Sequence, residues 1–415
     1  QDGTSLVVFP EGARTFTGHM GYFKKGAFQL ADDLQLPVVP LTIIGSFNIL
    51  PRTGGFISLA GLQGQICRKD SSDMNYIDMH CDTLVKAVEQ KKETAKKLEH
   101  TMVDAERLHR CGTKAQFFAM FLQQKKEENW SDPGHDPDDC RSEKRKISLW
   151  YNGAEIEKQM QDMYAVYQNT MENCADIIAP ACTYEDLQCN WRQGKVSAFL
   201  TVENGCIVDG KMERIDKLYQ MGVRLITLTW NDDNCFGHPH AKEAERMQLG
   251  LTPFGRKAVT YMAELGILVD VSHLSDGGFY DVAELVRGPF VASHSNCREL
   301  APATRNLTDD MIRVLAEHGG VAGLNFYPPF LNTDPVDKVS RIETMCEHVK
   351  RLVNVGGIEC VGIGTDFDGI EGKFEIADCT DMKKLFDALQ KTGFSEDALE
   401  KIAYKNVERV IREVM

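Results

Sequence analysis

"NYIDMHCDTL", Asn75 to Leu84, begins as a strand and ends as something else. Tyr76, Ile77 and Met79 supply the large apolar side chains of a buried strand, and His80 and Asp82 then interrupt them. In an extended chain, residues two apart point the same way. His80 and Asp82 therefore share a face, Asp78 joins it one step earlier, and Cys81 points to the opposite side, where it packs. Two readings fit the stretch by itself: a His–Asp hydrogen bond that caps a strand, or two donors of a metal site at the strand's end.

Working outward, apolar runs of strand length recur along the chain: "YIDMHCD", "AQFFAMFL", "VSAFLTVEN", "VRLITLTW", "ILVDVSH", "PFVASHS", "GVAGLNFY" and "CVGIGTDFD", eight in all. Helical segments separate several of them. "TDDMIRVLAEHGG" has Thr308 placed as N-cap and Gly319 as the C-terminal stop. "TPFGRKAVTYMAELG" and "IETMCEHVKRLVNVGG" space their apolar residues near the helical period. Eight buried strands alternating with helices predict a (β/α)8 barrel of the TIM type. A doubly wound sheet is the alternative, but it typically has fewer strands and a glycine-rich first turn. The charged stretch at 123–146, with its Pro and Gly, reads as a loop insertion.

On a barrel the C-terminal ends of all strands meet at one face, and active sites form there. Polar residues fall at those ends repeatedly: His80 and Asp82, Glu203, His273, His294, and Asp366 with Asp368. A lone histidine at a strand end is more often a satisfied hydrogen-bonding residue. Three histidines and several carboxylates gathered at one face need a common partner, and a cation is the simplest.

The 415 residues suffice for two domains, or for one barrel with an appendage. A net charge of −14 argues against nucleic acid as partner, because such a surface needs basic patches. No apolar run approaches a membrane span. The 13 cysteines form no CxxC pair and are odd in number, which favours reduced thiols and a cytoplasmic setting over a disulfide framework. The chain opens with Gln1 and shows no signal peptide, so the expectation is that sequence upstream of it is missing.

Residues 1–66 have a character of their own. Phe9-Pro10-Glu11-Gly12-Ala13-Arg14, Phe23-Lys24-Lys25-Gly26 and Pro37-Val38-Val39-Pro40, in that order, resemble the glycerol-phosphate acyltransferase family that acylates lysophosphatidate. Arg14 and the lysines would suit a phosphate. The family's His–Asp pair, in an HxxxxD motif upstream of FPEG, has no counterpart: eight residues precede Phe9 and none is His. Position 13 is Ala where Thr or Ser is usual. The segment reads as the back half of an α/β acyltransferase-like domain, and without the base that activates the hydroxyl it is expected to carry no acyl transfer. The polar stretch "CRKDSSDMN" marks the boundary, and the barrel domain is assigned to 75–415.

That second part resembles the membrane (renal) dipeptidase family of zinc peptidases, through "DMHCDTL", "TVENG", "GLTPFGRKAV", "LVDVSHLSD", "VASHSNCRELAPATRN", "NFYPPF" and "VGIGTDFDG" in order. The resemblance implies a (β/α)8 barrel, two Zn²⁺ ions and hydrolysis of dipeptides. It implies that His80 and Asp82 hold one zinc, that His273 and His294 hold the other, and that Glu203 bridges them. It makes Asp366 the catalytic acid/base and Arg305 the clamp for the substrate's free carboxylate. Some members carry a histidine at the end of strand four that helps stabilise the tetrahedral intermediate; here Trp230 stands there, an uncharged donor. His238 and His240 either reach the site or lie on a solvated loop, and Tyr327 either lines the pocket or packs in the core. Two further readings stay open: a metal-dependent amidohydrolase acting on N-acyl amino acids or cyclic amides, and a lipid-associated binding module led by the N-terminal segment. The expected partners are dipeptides, with room left for a homodimer and for weak membrane association through the acyltransferase-like segment.

Overall fold

A computed structural model of the chain describes residues 75–124 and 153–415. The acyltransferase-like segment at 1–66 and most of the expected insertion at 123–146 lie outside the described residues. The chain parts into two units, 1–69 and 70–415.

The strands in chain order are β1 Ile77–Cys81, β2 Ala115–Phe121, β3 Ile178–Pro180, β4 Val196–Glu203, β5 Val223–Thr227, β6 Leu268–Asp270, β7 Val291–Ala292, β8 Val321–Leu324, β9 Val339–Ser340, β10 Val361–Ile363 and β11 Lys373–Phe374. Parallel pairing runs β2-β1-β10-β8-β7-β6-β5-β4, and β4 pairs back onto β2 from Ala115–Ser197 to Phe121–Glu203. That last ladder closes a parallel barrel from the eight runs read in the sequence. β3 is an addition to that reading: three residues ending in Pro180, paired only with the start of β4, too short to show a period. β9 and β11 form a separate two-stranded ribbon.

The strands are shorter than their apolar runs, β6 and β7 among them. β6 stops at Asp270 and β7 at Ala292; Val271 N still bonds Val291 O, and then Ser272 N and Ser293 N both turn to a side chain, donating to Asp270 Oδ1 at 3.0 and 2.8 Å. The chain thereby turns off the sheet just where His273 and His294 must face inward.

The helices start where their caps dictate. Thr308 Oγ1 accepts from Met311 N at 3.2 Å, the helix runs Asp309–Glu317, and Gly319 follows at φ +70°. Thr252 Oγ1 accepts from Gly255 N at 2.9 Å ahead of the helix Pro253–Leu265, and Pro253 needs no donor in that first turn. The helix Asn406–Val414 puts Val407, Val410 and Ile411 against Ile77, Leu268, Val291 and Val321. These are the first residues of their strands, so this helix closes the barrel end opposite the histidines.

Candidate active site and metal centre

At the C-terminal ends of the strands the expected residues converge. His80 Nε2 lies 3.5 Å from Asp82 Oδ2, 3.5 Å from Glu203 Oε2 and 3.8 Å from Asp366 Oδ1. His273 Nε2 lies 3.0 Å from Glu203 Oε1, and His294 Nε2 lies 3.6 Å from the same oxygen. Glu203 thus sends one oxygen to each half of the cluster, and its side chain is 5% exposed. Asp78, which shares a face with His80 in the sequence reading, stays out of the cluster. It accepts from Thr365 N and Oγ1, at 2.9 and 2.7 Å, and fastens β1 to the turn after β10.

The hydrogen-bond arithmetic identifies what the cluster lacks. Ser293 Oγ donates its single proton to Asp270 Oδ2 at 2.6 Å, and it sits 2.7 Å from His294 Nδ1. It must accept there, so Nδ1 of His294 carries the ring proton and Nε2 carries a lone pair. That lone pair faces His273 Nε2 at 3.1 Å and the Glu203 carboxylate. On the other side, both ring nitrogens of His80 and Asp82 Oδ1 are buried without partners. Spacings of 3.5–3.8 Å are long for hydrogen bonds. They suit atoms that ligate a common ion at roughly 2.0–2.2 Å from each. Donor atoms of His80, Glu203 and His294 lie within 4.8 Å of one another, as do those of His80, Asp82 and Asp366. The donor set fits divalent cations, zinc among them.

The surroundings tune the charges. Burial works against a charged His80, but Glu203 and Asp82 beside it raise its pKa well above the usual value. Burial and Arg305 push His273 and His294 down, keeping them neutral as ligands must be. Burial pushes Asp366 up to about 7; His80 opposes this, and Asp82 and Glu203 reinforce it. Asn325 Nδ2 donates to Asp366 Oδ2 at 2.9 Å and to His294 O at 3.1 Å, so one amide orients both. His273, Asp366 and Asp368 hold φ of 67°, 63° and 69°, a region non-glycine residues seldom adopt. Gly369 is needed for close approach, because a Cβ there would sit 2.1 Å from Asp82 Oδ2 and 2.8 Å from Asp366 Oδ1.

The cluster floors a cavity of about 550 Å³. Trp230 and Tyr327 line it, Trp230 edge-on to Phe121 at 4.9 Å and Tyr327 edge-on to Phe330 at 4.9 Å. His240 also lines it, held by Thr304 Oγ1 at 2.9 Å and Asn231 Oδ1 at 3.2 Å. His238 turns away to Asp233, at 3.1 Å. Asp368 lines the wall, but its oxygens are taken by Thr83 Oγ1 and Met102 N, each at 2.6 Å. Arg305 sits behind the lining, 4% exposed, donating to Ser295 Oγ at 2.6 Å and His294 O at 3.1 Å, with its Cζ 5.6 Å from the Phe330 ring. Its Nε is buried and unpartnered. Burial lowers its pKa to about 10, which leaves it a cation near neutrality. Arg298, bidentate to Asp276 at 2.7 Å, also bonds Thr304 O and Asn306 O, and so pins the turn that carries Arg305.

Asp270, Ser293, Asn325 and Gly369 were not singled out from the sequence. Asp270 and Ser293 flank His273 and His294 by one to three residues, the only local signal they give.

A parallel barrel whose strand ends gather imidazoles around a shared carboxylate, with vacant lone pairs, defines the class of metal-dependent hydrolases. Comparison with known proteins narrows this. The sequence pattern of the membrane dipeptidase family, peptidase family M19, matches residues 68–415, and that of an acyltransferase family matches residues 1–44. An uncharacterised protein from the pqqA 5′ region of Klebsiella pneumoniae is 33% identical over 231 residues, covering 54% of this chain and 84% of that protein. An uncharacterised dipeptidase of Schizosaccharomyces pombe is 32% identical over 220 residues, 52% of this chain; the match spans about half, 53%, of that relative's length. Among solved structures, dipeptidase AC, a metallo peptidase of family M19, superposes with a TM-score of 0.71 at 25% identity, covering 82% of this chain and 98% of the other. The chain belongs to the membrane dipeptidase family, M19, whose members are metal-dependent peptide-bond hydrolases.

Proposed function

We propose that the barrel is a two-zinc dipeptidase. One observation supports this above the rest: His273 Nε2 and His294 Nε2 face each other at 3.1 Å beside Glu203 Oε1, and the Ser293 relay leaves His294 Nε2 without a proton to share. In this reading His80 and Asp82 hold one ion, His273 and His294 the other, and Glu203 bridges. When bound, the ions supply Lewis acidity and a nucleophilic water near neutral pH.

The chain's own residues do the rest. Arg305, with its Nε–H unpartnered, is the donor for the substrate's terminal carboxylate, a bidentate task that suits a guanidinium. This favours free dipeptides over cyclic amides. Asp366, beside His80 and oriented by Asn325, is placed to take up a proton and deliver it to the leaving amine. Trp230, Phe121 and Tyr327 wall the cavity above the cluster. The domains of this reading are 1–66, without acyl transfer, and 75–415, the peptidase. Cytoplasmic residence, homodimerisation and weak membrane association of the first segment belong to it as well, on sequence grounds; among the described residues no helix is long and apolar enough to cross a membrane. Elemental analysis together with a dipeptide screen tests the proposal. The expected result is two zinc ions per chain and turnover that chelation removes and zinc restores. Full turnover by metal-free protein would overturn it.

A further inference from the structure

The lining of the cavity differs in character on the two sides of the cluster. In the barrel order the β1–β2 side lies across the mouth from β6 and β7, and Arg305 follows β7. On the Arg305 side His240, Tyr327 and Phe330 line the cavity. His240 is bonded to Thr304, Phe330 packs on Tyr327, and Arg298 holds the turn behind them.

On the far side the cavity continues. Asp82 is the N-cap of the helix Thr83–Glu89, so the turn that aims Asp82 at the cluster also starts this helix at the cavity. Val85 and Val88, three apart on one helical face, line the cavity with Phe121, Met163 and Ile370. Met163 comes from the helix Gly153–Asn173, which packs on the helix Thr83–Glu89. The rim above this apolar wall is polar, and its charges are paired: Lys86 with Glu89 at 3.1 Å, and Lys158 with Asp162. Gln123, just past β2, and Gln159, on the helix Gly153–Asn173, hold each other by mutual hydrogen bonds of 3.0 and 3.1 Å.

We propose that this β1–β2 side is the pocket for the side chain of the substrate's N-terminal residue, and that it selects dipeptides whose N-terminal side chain is large and apolar. The inference rests on the proposed dipeptidase reading. With the terminal carboxylate at Arg305 and the scissile carbonyl over the cluster, the N-terminal residue lies on the side away from Arg305. The wall there is apolar, so it gains from burying methylenes. Among the described residues the charges of its rim are paired with one another.

The test uses the full chain loaded with zinc. Values of kcat/KM for Phe-Gly and Leu-Gly are expected to exceed those for Gly-Phe and Gly-Leu by tenfold or more. Val88→Trp fills the pocket from a half-buried helix position. It should lower the ratio of kcat/KM for Phe-Gly over Gly-Gly at least tenfold, and weaken binding of an uncleavable Phe-Gly isostere, measured by calorimetry, by a similar factor. A ratio taken on one preparation is independent of the active fraction. Should Val88→Trp lose the fold, Val88→Leu repeats the measurement with a smaller shift in the same direction. Equal or reversed preference between Phe-Gly and Gly-Phe overturns the inference, as does an unchanged ratio in a folded Val88→Trp. No turnover of any dipeptide by the unmutated zinc protein fails the dipeptidase reading instead.

Discussion

At the scale of single residues, the site is built from atoms denied their usual partners. Among the described residues Glu203 alone sends an oxygen toward each half of the cluster, so it should be the most sensitive position. Glu203→Gln keeps the shape and removes the charge. Zinc per chain should drop toward one ion or none and dipeptide turnover should be abolished, and a Gln variant retaining both ions and full rate would refute the bridging role. Gly369→Ala should act by crowding alone, since its Cβ would stand 2.1 Å from Asp82 Oδ2. The expected outcome is loss of zinc and activity with little change in thermal stability; unaltered zinc content would show that Asp82 does not need that space. For Arg305→Ala the expected effect is a rise in KM for free dipeptides corresponding to about 2–4 kcal/mol, the loss of a charge-assisted pair in a closed site. Dipeptide amides should be poor substrates of the unmutated protein, and equal rates on a dipeptide and its amide would count against the clamp.

At the scale of elements, strand ends are bent to serve the site. The left-handed backbone at His273, Asp366 and Asp368 costs on the order of 1–3 kcal/mol each and is held by the packed barrel beneath. A different element carries a pH liability. His348, on the helix Ile342–Gly356, is fully buried; its Nδ1 accepts from Cys297 N at 3.1 Å, and its Nε2 donates to Leu331 O at 3.0 Å. Burial pushes its pKa from 6.5 down to about 4, against the pull of the Leu331 carbonyl. Between those values the unfolded chain binds a proton that the folded chain refuses. This share of stability is therefore whole above pH 6.5 and is lost as the pH falls through 4, worth about 3 kcal/mol. Denaturant titrations at pH 7 and pH 4 should show a smaller acid loss for His348→Gln than for the unmutated protein, and identical losses would exclude the histidine as the cause.

At the scale of the whole molecule, the barrel has its own core and its own plug. The C-terminal helix seals the end away from the site with Val407, Val410 and Ile411, so loss of that helix should unfold the barrel rather than merely silence it. A chain lacking residues 1–66 is expected to keep its dipeptidase activity, because the barrel begins after that point. The intact chain is expected to transfer no acyl group to lysophosphatidate; turnover that disappears on changing Glu11 or Arg14 would contradict this.

Much of this was legible in the order of residues. Apolar runs of strand length separated by capped helices specify alternating elements through local rules of period and capping, and eight such runs favour a barrel over a doubly wound sheet. His80, Asp82, Glu203, His273, His294 and Asp366 could be found because a barrel brings all its strand ends to one face, whatever their separation in sequence. What the tertiary structure alone decided depends on contacts between residues remote in the chain. The tautomer of His294 is set by Asp270 acting through Ser293. Asp366 is oriented by Asn325 from another strand. The need for glycine at 369 exists only once Asp82 folds over it. Asp78, indistinguishable from a ligand by its spacing from His80, was taken out of the cluster by Thr365, 287 positions away. Spacing along a strand says which way a side chain points, but which partner it meets there is a matter of what the other strands deliver to the same place.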